Sequence, residues 1–333
     1  MARISNQNIT KAFINQITTT RNLIDETQKE ISSGLRVIDP SDDPSRSAII
    51  ADLSNTLTRI ERHGQRIAVV KDQLSQQENI INHATEAVLR AKELASQAAN
   101  ENQSVESRAQ IAQEVYALRD TLVSLANTQV QGKYIYGGGA DDQPPFQLDA
   151  NQYPTGTGIV TTRYTFQPTP EEAAIQKEAR ISDTQTLRIT SDGDQIFSTA
   201  ITELEELGRT LSGFTTGYDV LGDPDPLTSL AYNFPNDYQQ QTADIRTHLD
   251  NIESVRGNEM RVERTNLGSR YARADLADSI LTSTKVDTTQ SRSTLQDSDI
   301  FAATTRLTEL QLGLQATLAS GVQLNNLSIL DFI

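Results

Sequence analysis

The segment that decides the fold is the C-terminal stretch 300–333, IFAATTRLTELQLGLQATLASGVQLNNLSILDFI. Its apolar side chains recur at the spacing of one helical face. From 310 to 330 it carries no charge, but Gln, Asn, Ser and Thr interrupt the apolar run. A bilayer span needs about 20 predominantly apolar residues. The stretch therefore predicts a helix buried in an ordinary core or against other subunits, and not a membrane insertion.

A second stripe lies at the other end of the chain. Ile17, Ile24, Ile31 and Ile38 follow strict seven-residue steps, which is typical of a coiled-coil seam. The simplest packing places the two ends side by side. Two helices leave part of both stripes exposed, and exposed apolar patches of that size mark interaction sites. We therefore predict an assembly interface at Ile17, Ile24, Ile31, Leu35, Ile300, Leu307, Leu310, Leu314, Leu318 and Leu324.

Long helices are predicted between the two ends. Residues 45–100 contain no proline and a single glycine, and seven heptad positions in a row, from Leu53 to Ala95, are apolar. A second helix near 105–130 is expected to fold back as a hairpin. A further helix is predicted from 237 onward, because apolar residues recur there at steps of seven, at Met260, Leu267, Ala274 and Leu281.

Helix ends carry their own signals. Asp43 followed by Pro44 predicts an N-cap and a first helical residue, because proline lacks the amide that the first turn leaves unpaired. Asp297 is predicted to cap the final helix.

The middle of the chain has a different composition. Residues 132–235 hold 8 of the 10 prolines and 11 of the 17 glycines. Short strands are predicted at 159–166 and 186–190, with helices at 171–180 and 199–211. The glycine-rich 132–139 lacks the phosphate-loop ending, so we predict a hairpin or chain exit there.

The predicted fold class is mainly α: an elongated coiled-coil or helical-bundle rod formed by both chain ends, with a small strand-rich inserted domain. The predicted segments are an N-terminal assembly helix (1–44), a helical rod domain (45–135 and 237–295), the insert (136–236) and a C-terminal assembly helix (296–333).

Composition argues against several classes of function. The net charge is −15, whereas nucleic-acid binding needs basic patches, so no nucleic-acid partner is expected. There is no cysteine, and the three histidines, His63, His83 and His248, lack metal-ligand spacing. No nucleophile or dinucleotide motif is present. We expect no enzyme activity, no cofactor and no metal. Residues 1–30 also lack the apolar core of a cleavable signal peptide.

Four stretches together resemble the bacterial flagellin family. The first is 6–44, which contains ISSGLRV at 31–37 and ends in PSDDP at 40–44, and the second is GKYIYGG at 132–138, followed by Asp142, Pro145 and Phe146. The third is 180–197, which contains SDG at 191–193, and the fourth is DSD at 297–299, followed by Ala302, Leu307, Gln311 and Leu314–Ala316. The PSDDP form is more similar to the hook-associated members of the family than to flagellin itself.

The resemblance implies a structural subunit of the flagellum that joins the hook to the filament and is exported by the flagellar type III system. It implies self-assembly into a helical or ring-like junction, contacts with the other junction protein and with flagellin, and a cytoplasmic chaperone on the C-terminal helix. Flagellin itself and a non-flagellar coiled-coil scaffold remain as alternatives.

Overall fold

A computed structural model describes residues 2–148, 164–215 and 231–330, with the backbone alone at 2–10, 256–257 and 322–330. The chain forms two compact units, Met1–Arg62 with Leu281–Ile333, and His63–Ile280. The helices are α1 (Ala2–Ser33), α2 (Pro44–Ala98), α3 (Val105–Ala126), α4 (Pro170–Ala173), α5 (Thr199–Leu211), α6 (Tyr238–Val255), α7 (Arg261–Gln296) and α8 (Ile300–Leu330). The predicted mainly α fold with long terminal helices is confirmed.

The heptad pattern of α2 marks its buried face. Ile67, Leu74 and Ile81 are at most 1% exposed, and on α7 Leu267 and Ala274 are equally buried. In the second unit α5 packs against both α3 and α6. Arg90 of α2 donates to Glu114 of α3 at 2.7 Å, so these two helices form the predicted hairpin.

The insert and the segment just before it contribute short strands. In the described residues these form three two-stranded antiparallel sheets. The strands are β1 (Gln129–Val130), β2 (Lys133–Tyr134), β3 (Phe146–Leu148), β4 (Tyr164–Phe166), β5 (Glu178–Arg180) and β6 (Thr186–Arg188). The β1–β2 turn places Gln131 and Gly132 at φ 53° and 78°, as a tight two-residue hairpin requires.

Two sequence predictions need correction. The helix predicted at 171–180 is only α4, because 178–180 pairs with β6 as strand β5. The first helix ends at Ser33, since Gly34 adopts φ 71°, a common way to end a helix. Ile38 is therefore outside the helix and 43% exposed, whereas Val37 is buried. Of the predicted 159–166 strand, 159–163 lie outside the described residues.

Aromatic rings form the core of the insert. Phe197 lies in a π-helical turn (Asp194–Ser198) before α5 and is completely buried. The centroid of its ring lies 4.9 Å from that of Tyr136 and 6.4 Å from that of Phe146, both in edge-to-face geometry. Gly193 allows this packing, because a Cβ there would lie 2.5 Å from the Tyr136 carbonyl oxygen.

Buried tyrosines predict a loss of stability in alkali. Burial raises the pKa of Tyr116, Tyr136 and Tyr232, and a hydrogen bond to Asp244 raises that of Tyr232 further. In the unfolded chain each ionises near pH 10. The folded state holds these protons, so its stability is complete below about pH 10 and falls as the pH rises above it.

We expect Tyr136→Phe to lose about 1.4 kcal/mol less stability per pH unit than the parent between about pH 10 and 12. Near pH 7 it should be at least as stable, because the Tyr136 hydroxyl is buried without a partner among the described residues. Denaturant unfolding at several pH values measures this, with Tyr271→Phe as the surface control. Parallel pH profiles for Tyr136→Phe and the parent would refute it.

Candidate assembly interface

The two terminal helices pair in the first unit. Phe13 of α1 lies on Gly321 of α8, while Glu30 of α1 accepts hydrogen bonds from Ser298 Oγ at 2.7 Å and Arg306 Nη1 at 3.4 Å. Residue 13 thus meets 321 and residue 30 meets 306, so the helices are antiparallel. This pairing brings the predicted N-terminal and C-terminal stripes together.

Most of the predicted interface residues lie along this pair. On α1 the half-buried ones are Ile17, Ile24 and Ile31, and on α8 they are Leu307, Leu310 and Leu314. Leu35 is half-buried beyond the end of α1 and forms an antiparallel bridge with Asp297. Ile300 and Leu318 are 39% and 42% exposed. Leu324 lies in α8, and its side chain is outside the described residues.

Sequence reasoning missed the small and polar members of the seam. Thr20 and Thr27 of α1 are buried, and so is Ala303 of α8. The two hydroxyls fit there because they donate to the carbonyls of Gln16 and Leu23, at 2.9 and 2.7 Å. They carry no hydrophobic signal, and only their four- and three-residue steps from Ile17, Ile24 and Ile31 could have identified them.

At the end of the α1–α8 pair that is nearest to α2 and α7, the residues 34–36 and 296–298 are hydrogen-bonded to each other, and we call this contact the joint. Arg36 N donates to the Gln296 carbonyl at 2.7 Å, and Ser298 N donates to the Gly34 carbonyl at 2.9 Å. The linker between α1 and α2 and the linker between α7 and α8 are therefore joined to each other by backbone hydrogen bonds. Asp42 supports the turn, and bonds from the Asp39 and Ile38 amides lower its pKa.

The predicted caps lie in or near this joint. Asp43 Oδ1 accepts from the Arg46 amide at 3.0 Å, and Pro44 is the first residue of α2. The cap of α8 needs correction, because Asp299 Oδ1 accepts from the Phe301 and Ala302 amides at 3.0 and 3.1 Å. Asp297 instead accepts a hydrogen bond from Ser293 and bridges to Leu35.

A second apolar stripe runs along the opposite side of α8. Phe301 and Leu312 are 87% and 60% exposed, the first of them more than any other large apolar side chain described. Thr305 and Thr308 lie between them and donate to carbonyls of their own helix at 2.9 and 3.0 Å. The stripe consists of Phe301, Thr305, Thr308, Leu312, Ala316 and Ala319. We call it the outer stripe of α8.

The charge pattern sets α8 apart from α1. Between 300 and 330 the only charged residues are Arg306 and Glu309, whereas α1 exposes Arg21, Asp25 and Lys29. A surface helix usually carries charged residues on the face opposite its apolar stripe. In the first unit α1 covers one side of α8, and the opposite side, the outer stripe, is uncharged and exposed.

Clusters of polar side chains among the described residues are the places where a metal or catalytic site could form. No three histidine, aspartate or glutamate side chains there come together in a way that could hold a metal ion. His248 Nδ1 lies 3.0 Å from Glu203 Oε2, and His248 Nε2 lies 3.2 Å from Thr210 Oγ1. This order of hydroxyl, imidazole and carboxylate resembles a catalytic triad, but Thr210 is fully buried and no substrate could reach it. In the same residues no helix combines the length and apolarity of a bilayer span.

Comparison with known proteins defines the class. The model of the bacterial flagellin N-terminal helical region matches residues 4–140, and that of the C-terminal helical region matches residues 249–333. Together they cover well over half of the chain and contain both members of the α1–α8 pair. The chain belongs to the bacterial flagellin family.

Within the family, its relatives point to one kind of member. The chain is 30% identical over 129 residues to flagellar hook-associated protein 3 of Escherichia coli, covering 38% of this chain and 41% of that protein. It is 29% identical over 160 residues to the same protein of Salmonella typhimurium, covering 48% and 50%. The aligned parts thus span half or less of these relatives. A putative flagellar hook-associated protein from Vibrio parahaemolyticus shares the fold, with 16% identity, a TM-score of 0.55, and coverage of 77% of this chain and 99% of that one.

Proposed function

We propose that this protein is a structural subunit of the bacterial flagellum, an adaptor that joins the hook to the flagellin filament through packing of its terminal helices. The observation that carries the proposal is α8, which bears two opposed uncharged stripes while α1 covers only one. Similarity to hook-associated protein 3 supports the junction over the filament.

The proposed mechanism is assembly by burial. The α1–α8 pair presents the outer stripe of α8, together with Ile300 and Leu318, to neighbouring subunits. Burying apolar surface stabilises a contact by roughly 25 cal/mol per Å². Copies of this chain would form a helical or ring-like junction, with hook-associated protein 1 on the hook side and flagellin on the other. The role is mechanical and requires neither catalysis nor a cofactor.

Assembly outside the cell requires export. In the proposed route the chain leaves through the flagellar type III system without a cleaved signal peptide and becomes extracellular. An export chaperone would cover α8 in the cytoplasm, because so much uncharged surface would otherwise promote aggregation.

Immunogold electron microscopy of intact flagella tests the proposal against flagellin. An adaptor places gold only at the boundary between hook and filament. Label along the whole filament would favour flagellin, the second candidate in the same family. Absence of label from the flagellum would favour a scaffold unrelated to motility and would refute the proposal.

The outer stripe gives a mutational prediction. Phe301→Ser should leave the stability of the free chain unchanged, because the ring is 87% exposed there. It should reduce the fraction of hooks that carry filaments severalfold, because burial of a phenylalanine contributes about 1.5–3 kcal/mol per contact. Filament counts in a complemented deletion strain measure this, and Thr304→Ser, on the flank of the stripe, serves as a control. Wild-type filament counts for Phe301→Ser would exclude the outer stripe from the interface.

A further inference from the structure

We infer that α1 and α8 encode a single axial register by placing large side chains opposite small ones, with Phe13 against Gly321 as its lock. The register itself can be tested without a flagellum, whereas its importance for assembly rests on the proposed function. The register would fix the position, along the axis of the helix pair, at which the outer stripe of α8 contacts the next subunit.

The seam positions follow from burial. Between 300 and 321 six residues of α8 are shielded from solvent, and on α1 six residues from 13 to 31 lie at the matching seam positions. The α1 set is Phe13, Ile17, Thr20, Ile24, Thr27 and Ile31; the α8 set, read backwards, is Gly321, Thr317, Leu314, Leu310, Leu307 and Ala303. Both sets advance by steps of four, three, four, three and four.

Two contacts fix how the sets align. A Cβ built on Gly321 would lie 2.1 Å from Phe13 Cζ, so the ring rests directly on the glycine. At the other end Glu30 binds Ser298 and Arg306. The shared steps then set each α1 position level with one α8 position. Both sets span about 27 Å at 1.5 Å per residue.

The aligned layers alternate in size. Phe13 faces Gly321, and Ile31 faces Ala303 at the opposite end. Between them each threonine faces a larger aliphatic side chain, and only Ile24 and Leu310 are both large. Core packing penalises both voids and excess volume, so this pattern favours one alignment.

A slip by one heptad would undo the pattern. It would move Phe13 from Gly321 onto Leu314, which overfills that layer, because no aligned layer of the inferred register holds a phenylalanine and a leucine together. Gly321 and Thr317 would no longer face Phe13 and Ile17, and would lie level with positions 6 and 10 of α1 instead. The apolar heptads alone would permit such a slip, because every seventh residue would still face the seam.

Engineered disulfides read the register directly, because the chain has no cysteine of its own. Ile17→Cys with Thr317→Cys reports the inferred register, and Ile17→Cys with Leu310→Cys reports the slipped one. Under mild oxidation of the dilute full-length chain, we expect the first pair to close at least about tenfold faster, since a disulfide needs Cα atoms within about 7 Å. Equal closure, or closure of neither pair, would overturn the inference.

The lock is tested in the first cysteine background. Gly321→Val should slow closure, because its side chain would collide with the Phe13 ring. Gly313→Val is the matched control: it lies in the same helix, a Cβ there meets nothing within 4 Å, and closure should not change. Adding Phe13→Ala to Gly321→Val should restore closure. Failure of that rescue, or equal slowing by Gly313→Val, would overturn the lock.

These outcomes separate the inference from the proposed function. A single register in a chain that immunogold places outside the junction would keep the inference and refute the function. If the chain lies at the junction but its two cysteine pairs close equally fast, the proposed function stands and the inference is refuted.

Discussion

Leu314→Asp is expected to abolish attachment of filaments to hooks. Leu314 is a half-buried member of the α1–α8 seam, and the inferred register sets it level with Thr20. Its substitution places a carboxylate between two helices whose nearest seam residues carry no charge. An uncompensated buried charge costs about 3–5 kcal/mol, which corresponds to a loss of pairing of a hundredfold or more. Swimming in soft agar and electron microscopy of a complemented deletion strain measure the effect.

The matched control for that change is Asn22→Asp. It introduces the same charge on the exposed side of α1, among Arg21, Asp25 and Glu26, which are already in water. This variant should swim like the parent. If Leu314→Asp swims normally, the seam does not contribute to assembly; if both variants fail, the effect is one of net charge and not of the seam.

Phe197→Ala is expected to destabilise the second unit by about 3–5 kcal/mol. The ring is completely buried and contacts Tyr136 and Phe146, and the backbone of Phe146 is hydrogen-bonded to the side chain of Asn127, the residue that caps the end of α3. Its removal leaves a cavity that these rings can fill only in part. Denaturant unfolding of the purified chain, followed by circular dichroism, gives the change in free energy.

Phe301→Ala is the control for that measurement, since it removes the same side chain from an exposed position. We expect no loss of stability from it in the free chain. A loss below about 1 kcal/mol for Phe197→Ala would mean that the aromatic cluster does not hold the insert together.

The long helices were the most predictable part of the fold. The α2 heptads recur without interruption, and positions such as Ile67 and Leu74 were found buried as expected. Such a repeat is a local property of the sequence and depends little on what covers it. Helix ends were less predictable. Ile38 continued the spacing of Ile31, but the left-handed Gly34 had already ended the helix.

The interface was only partly visible in the sequence. Leucines such as Leu307, Leu310 and Leu314 indicate an apolar stripe by themselves. Thr20, Thr27 and Gly321 can be recognised as seam residues only from the side chain that faces each of them on the other helix. The residue pattern of a single helix does not contain that information. The cap of α8 was ambiguous for a related reason, because Asp297 and Asp299 are both suitable residue types and only the backbone geometry selects Asp299. The four-segment division of the chain stays a prediction.

Electron microscopy of a strain that lacks this gene tests the central claim most directly. The account predicts hooks without filaments on the cells and unassembled flagellin in the medium, with filaments restored by the intact gene. Filaments of normal length and number on the deletion strain would contradict it.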